Sequence, residues 1–75
     1  MNVYQQLCAY IKDSGRSFAW VARKAVELGC PTQLDSGKLG KVANGNRNLT
    51  ADEFLYICMA LEVNPDIFMR QMWSA

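Results

Sequence analysis

Apolar residues recur at steps of three and four along nearly the whole chain, and no segment alternates with a period of two, so the pattern predicts helices and no strands. Val3, Leu7, Tyr10 and Ile11 trace a first amphipathic helix that ends near Asp13-Ser14-Gly15. Glycine is a natural stop there because it takes left-handed backbone without a Cβ penalty. Ser17 has the place of an N-cap, its hydroxyl serving a free amide at the start of a helix from Phe18 to about Leu28. Trp20, Val21, Ala25 and Leu28 form its apolar stripe, and Gly29 closes it. Pro31 disfavours helical backbone at Cys30, so Gly29 to Gln33 reads as a loop.

Asp35 is the next cap, opening a short helix from Ser36 to about Asn44 with Leu39 and Val42 turned inward. Gly37 and Gly40 each weaken that helix by roughly 0.5–1 kcal/mol relative to Ala. Two such residues in one short helix imply either close approach to another surface or a marginal helix held by packing. Thr50-Ala51-Asp52-Glu53 has the form of a capping box, in which the hydroxyl takes the amide three residues on and the carboxylate reaches back. The helix that follows shows Phe54, Ile57, Cys58 and Leu61 on one face. Asn64-Pro65 repeats the start signal, with Ile67, Phe68, Met72 and Trp73 as the apolar positions of a last helix. The expected architecture is one all-α domain of five helices spanning residues 1–75.

The composition supports a domain of this kind. At 75 residues the chain buries only about 60% of its unfolded surface, but 51% of its residues are hydrophobic, enough for a helical core without staples. Cys8, Cys30 and Cys58 are odd in number, widely spaced and unaccompanied by any His, which argues against both a disulfide framework and a zinc site. Cys8 and Cys58 read as small core residues, and a reactive thiol is the minor reading for Cys30, beside Pro31 in a loop. The start of the chain lacks a basic segment followed by an apolar run, and no stretch reaches the roughly 18 apolar residues of a membrane span. A soluble, cytoplasmic protein is expected. With no His, no paired carboxylates, no glycine-rich loop after a strand and no metal-ligand spacing, the sequence offers nothing for an enzyme, a cofactor, a metal or a small-molecule substrate.

The net charge of +1 hides a polarity. From Arg16 to Arg47 six cations face two anions, leaving +4, whereas from Asn48 onward four anions face one cation, leaving −3. A basic middle can orient a protein on a polyanion. Within it, Ser36, Gly37, Lys38 and Lys41 fall toward the outside once Leu39 and Val42 turn in, and Asn44, Asn46, Arg47 and Asn48 follow in the turn. Lys neutralises phosphate or donates to guanine, and Asn pairs with adenine or anchors to phosphate, so these are side chains suited to a duplex. The start of the helix adds partial positive charge for a phosphate. Arg23 could also reach phosphate. Each of these has a plainer reading: exposed lysines and arginines are ordinary on any helix, and Asn-Gly ends helices in many folds.

The run Leu39-x-x-Val42-x-Asn44-Gly45-x-Arg47, continued by Asn48-Leu49-Thr50-x-x-x-Phe54-x-x-Ile57-x-x-Ala60-Leu61-x-Val63, resembles the lambda-repressor and Cro-like helix-turn-helix family. Ser17 with Val21-Ala22 resembles the start of that family's second helix, and the likeness covers about Ser17 to Phe68. The resemblance implies a DNA-binding domain whose third helix enters the major groove. Ser36, Gly37, Lys38 and Lys41 would face the groove, and Asn44, Asn46 and Arg47 would hold the backbone, with Ser17 and Arg23 on the second helix beside them. It further implies a homodimer that reads double-stranded DNA as a transcriptional regulator, in the manner of phage or mobile-element repressors. Three departures stand out. Ala43 replaces the family's usual acidic residue, Phe18 replaces a frequent phosphate-clamping Gln, and the 23 positions from Ala22 to Gly45 exceed the usual spacing. The excess lies in Val26 to Gln33, as a longer second helix or an enlarged connection to the third. The alternative function is a protein-interaction module on the same scaffold, antitoxin-like or antirepressor-like, and the density of Met69, Met72 and Trp73 fits a dimer contact.

Overall fold

Each helix begins where a side chain can take one of the free amides of a first turn. The computed structural model describes residues 2–68 and is all-helical, with no strand among the described residues. The helices are α1 (Val3–Asp13), α2 (Phe18–Glu27), α3 (Ser36–Ala43) and α4 (Ala51–Leu61), and a fifth opens at residues 66–68. Ser17 Oγ accepts from the Trp20 amide at 3.0 Å and Asp35 Oδ1 from the Lys38 amide at 2.8 Å, as expected from the sequence. The Thr50–Glu53 capping box is complete, with bonds of 3.2 and 2.9 Å. Asn2 and Gln5 form a second capping box, at 2.8 and 3.1 Å, that the sequence pattern does not single out. Caps of this kind are worth about 1 kcal/mol each, a large share of the stability of so small a domain.

α2 packs chiefly across α4, and α3 lies against α1 and α2. Leu7, Ile11, Val21, Leu39, Val42 and Ile57 are wholly covered. Leu34 and Leu49 add to this core from the segments flanking α3. Four aromatic rings form an edge-to-face series, Tyr4–Phe54–Phe68–Tyr10, with centroid separations of 6.2, 6.1 and 5.7 Å. The series ties α1 to α4 and to the opening of the fifth helix, and such pairs add about 0.5–1.5 kcal/mol each beyond the area they bury.

Four apolar residues expected inside are not fully so. Leu28, the C-cap after Glu27, is exposed. Ile67 is exposed, since the fifth helix turns Phe68 inward instead. Tyr10 presents its outer edge to solvent while its ring packs on Phe68, and Trp20 is half-buried under the Arg16 guanidinium, 4.4 Å from its ring. Met69, Met72 and Trp73 lie outside the described residues. Cys30 is buried, against the minor reading of it as a reactive thiol, and all three cysteines are free. Burial pushes the Cys58 thiol up to about 11, and that of Cys8 likewise to about 11 against the opposing pull of Lys12.

α2 ends at Glu27, so residues 28–35 before α3 form a non-helical connection and not a longer second helix. Gly29, at φ +114°, closes α2: its amide donates to Val26 O at 3.0 Å and the Cys30 amide to Ala25 O at 3.1 Å. Cys30 and Leu34 then turn into the core, pinning the segment at both ends, while Pro31 and Gln33 are exposed.

The close of α3 needs glycine for two reasons. Gly45 has φ +81°, and a Cβ there would lie 3.1 Å from Gln5 Nε2, which donates to the Ala43 carbonyl at 3.3 Å. Gly45→Ala is therefore expected to cost about 1–2 kcal/mol, from the left-handed backbone alone. Thermal unfolding should show a fall of roughly 4–8 °C per kcal/mol, with Gly45→Asn falling less; an unchanged midpoint in Gly45→Ala would contradict the geometry.

Candidate nucleic-acid interface

α3 carries the candidate site because its two inward residues settle which way the rest point. Leu39 and Val42 are 0% exposed, and Ser36, Gly37, Lys41 and Asn44 are exposed. Gly37, Lys41 and Asn44 follow one another at steps of four and three, which places them on one face of the helix, with Ser36 next to them. The Asn46 amide donates to Lys41 O at 2.9 Å and the Gly45 amide to Val42 O at 3.0 Å, so the turn folds tightly back on the helix and leaves the Asn46 side chain outside. The structure thus gathers most of the sequence-derived residues onto one face of α3 and the turn that follows it.

α2 contributes a second edge. Arg23 and Ser36 border the same shallow cleft between α2 and α3, floored by Ala22, Val26 and Leu34. Glu27 and Asp35 line this cleft too, so it is mixed in charge and not a purely basic slot. The Ser17 hydroxyl accepts the Trp20 amide and keeps its own proton for a further partner. At Phe18, where the resembled family often has Gln, the ring is half-buried and sits under Lys12 Nζ at 5.6 Å. The position thus brings a cation to the surface in place of an amide.

Two expected roles look different in three dimensions. The free positive end of α3 is already served, because the Asp35 carboxylate takes the Lys38 amide and sets an anion there. Phosphate near this end would have to be held by side chains. Lys38 is half-buried and its Nζ donates to the Gln33 carbonyl, so this lysine also braces the enlarged connection. Lys41 is exposed along the helix, ahead of the turn.

Arg47 differs most from its expected role. Its Nη2 lies 3.1 Å from Glu53 Oε2 and its Nη1 3.4 Å from Oε1, a two-pronged ion pair. Glu53 is 0% exposed while Arg47 keeps 27% of its side chain at the surface. Oε1 also accepts the Thr50 amide at 2.9 Å, so the buried carboxylate is fully engaged. Burial alone would raise its pKa, but the Thr50 amide and the Arg47 guanidinium outweigh that and hold the carboxyl below its usual value. Glu53 and Gln5 are the two residues of this region that the sequence did not flag for it. Glu53 was visible as the fourth member of the capping box, but its pairing with Arg47 depends on the fold of the turn. Gln5 sits 38 positions from Ala43, and no local pattern links them.

No family model, curated protein or solved structure matches the chain. Its chemistry is therefore read from its own surface. Among the described residues no three His, Cys, Asp or Glu side chains are placed to hold a metal ion. No helix among them is long and apolar enough to cross a membrane. An apolar groove runs between the starts of α1 and α4, lined by Val3, Tyr4, Phe54, Leu55 and Pro65 with Asp66 at its edge. Leu55 and Met59, one turn apart on α4, are exposed beside Asp52 and Glu62 on the acidic third of the chain.

Proposed function

We propose that this chain is a sequence-specific DNA-binding transcriptional regulator of the lambda-repressor and Cro-like kind, with α3 in the major groove. The reading rests on the outward face of α3: small, polar and cationic side chains stand exposed on a helix that Leu39 and Val42 anchor by its opposite side. Gly40 adds support. Among the described residues, a Cβ at this position would meet nothing within 4 Å, so none of these neighbours demands glycine. An external surface that approaches the backbone would account for the cost to the helix, as would a marginal helix held by packing.

A single domain with so few free cations binds duplex weakly, and a homodimer supplies the second half-site about 34 Å away, one helical turn. The exposed apolar residues Leu55, Met59 and Ile67 offer surface for a contact between copies. The test is a gel-shift titration on duplex from upstream of its own gene at two salt concentrations. Tight binding that weakens steeply with salt is expected, and no binding at low salt refutes the proposal. Gly40→Ala sharpens it. The variant should gain about 0.5–1 kcal/mol in stability and lose duplex affinity by about 1 kcal/mol, roughly fivefold. Stabilisation with unchanged affinity would remove Gly40 from the interface.

The apolar groove between α1 and α4 favours a second reading, a protein-interaction module of antitoxin or antirepressor type on the same scaffold. That reading predicts no salt-dependent retardation of any duplex in the same titration.

A further inference from the structure

Resting on the reading of α3 as the DNA-facing helix, we infer that Arg47 serves the complex as a positioning residue through Glu53 and does not grip phosphate. Each terminal nitrogen of its guanidinium commits one N–H to the same carboxylate, at 3.1 and 3.4 Å, which fixes the plane and place of the group although three N–H donors remain. That carboxylate is wholly covered and also takes the Thr50 amide. If Arg47 swung out to a phosphate, it would leave a bare charge inside the protein, at a cost far above what one phosphate ion pair at the surface contributes.

The pair sits where it can set geometry. Residues 44–49 leave α3 through Asn44 and Gly45 and re-enter the core at Leu49. The turn is held at one end by Gln5 on the Ala43 carbonyl and at the other by Arg47 on Glu53, at the first turn of α4. Between these two anchors stand Asn44 and Asn46, exposed and free of long side-chain motion. Arg47 thereby fixes how two short amide side chains are presented, and short side chains cannot compensate for a displaced backbone. Of the cations on and beside α3, Lys41, Arg23 and the remaining donors of Lys38 are left for phosphate.

Counterion release separates the two roles. A lost phosphate contact lowers the slope of log K against log salt by about 0.9, whereas a lost positioning contact lowers affinity at every salt concentration and leaves the slope alone. The experiment takes a duplex enriched from a random library by the wild-type chain and measures its affinity for Arg47→Met, Glu53→Gln and the double variant over a range of salt. Circular dichroism confirms that each variant is folded at the temperature used. Expected are losses of roughly five- to twentyfold in both single variants with the wild-type slope, and a double variant no weaker than the weaker single one, as for two halves of one contact. A slope lower by about one in Arg47→Met, with Glu53→Gln binding like wild type, makes Arg47 a phosphate contact and overturns the inference. Wild-type affinity in folded Arg47→Met overturns it as well, by reducing the pair to a stability device. Failure of the wild-type chain to enrich any duplex is a different result: it refutes the DNA-binding reading, and the inference falls with it.

Discussion

Glu53→Ala is expected to lower the stability of the free protein by about 3 kcal/mol, the low end for breaking a buried ion pair, since Arg47 keeps partial access to water. For a domain of this size that is a fall of roughly 12–24 °C in the unfolding midpoint. Three losses combine. The guanidinium of Arg47 loses its partner, the Thr50 amide loses its acceptor, and the fully covered site of the carboxylate is left unfilled. Glu53→Gln should cost less, because an amide oxygen can still accept from Thr50. The two proteins should also differ in pH dependence. The folded carboxyl is held below its ordinary value, so its contribution is fully present above the unfolded value of about 4.3 and disappears as pH falls through the folded one. Denaturant titrations of wild type and Glu53→Gln should show a stability gap that is constant near neutrality and narrows on acidification below about pH 4. A gap that stays constant down to about pH 2 would mean that the ion pair contributes nothing to the difference.

On the DNA side, the largest effect is expected from removing Lys38 and Lys41 together. Two lost phosphate contacts would lower the salt slope by about 1.8 and cut affinity roughly 10–100-fold at low salt. The two lysines should not contribute equally. Lys41 is exposed and aims along the outer face of α3, whereas Lys38 also donates to the Gln33 carbonyl and stands half-buried. Lys41→Ala should then account for most of the lost affinity with no change in unfolding midpoint. Lys38→Ala should combine a smaller loss of affinity with a slight loss of stability. Unchanged duplex binding in the double variant would refute the assignment of α3 as the DNA-facing helix.

The order of the helices was legible in the sequence because their signals are local. Ser17, Asp35 and Thr50 each need only an amide three residues on, and that requirement is satisfied by backbone geometry alone. The inward pair Leu39 and Val42 likewise followed from helical periodicity, and with it the outward face of α3. The partners of charged side chains were not legible. Arg47 looks like a free cation in the sequence, and only the fold of residues 44–49 brings it to Glu53. Leu34 and Leu49 stand in non-helical segments with no periodicity to mark them, yet both are core. Leu28 fits the apolar stripe of α2 by spacing but, as the C-cap after Glu27, stands exposed.

The segment that joins α2 to α3 carries a consequence for how such a chain can change. Its path is set by Cys30 and Leu34, which sink into the core on either side of Pro31–Gln33. The mutual tilt of the two helices is accordingly fixed by buried side chains and not by the number of residues that link them. Lengthening the tip at Pro31–Thr32, clear of the Gln33 carbonyl that Lys38 holds, would cost mainly loop-closure entropy, which grows slowly with length. The connection is thus a permissive address, where this chain can take on extra residues while α2 and α3 keep their places.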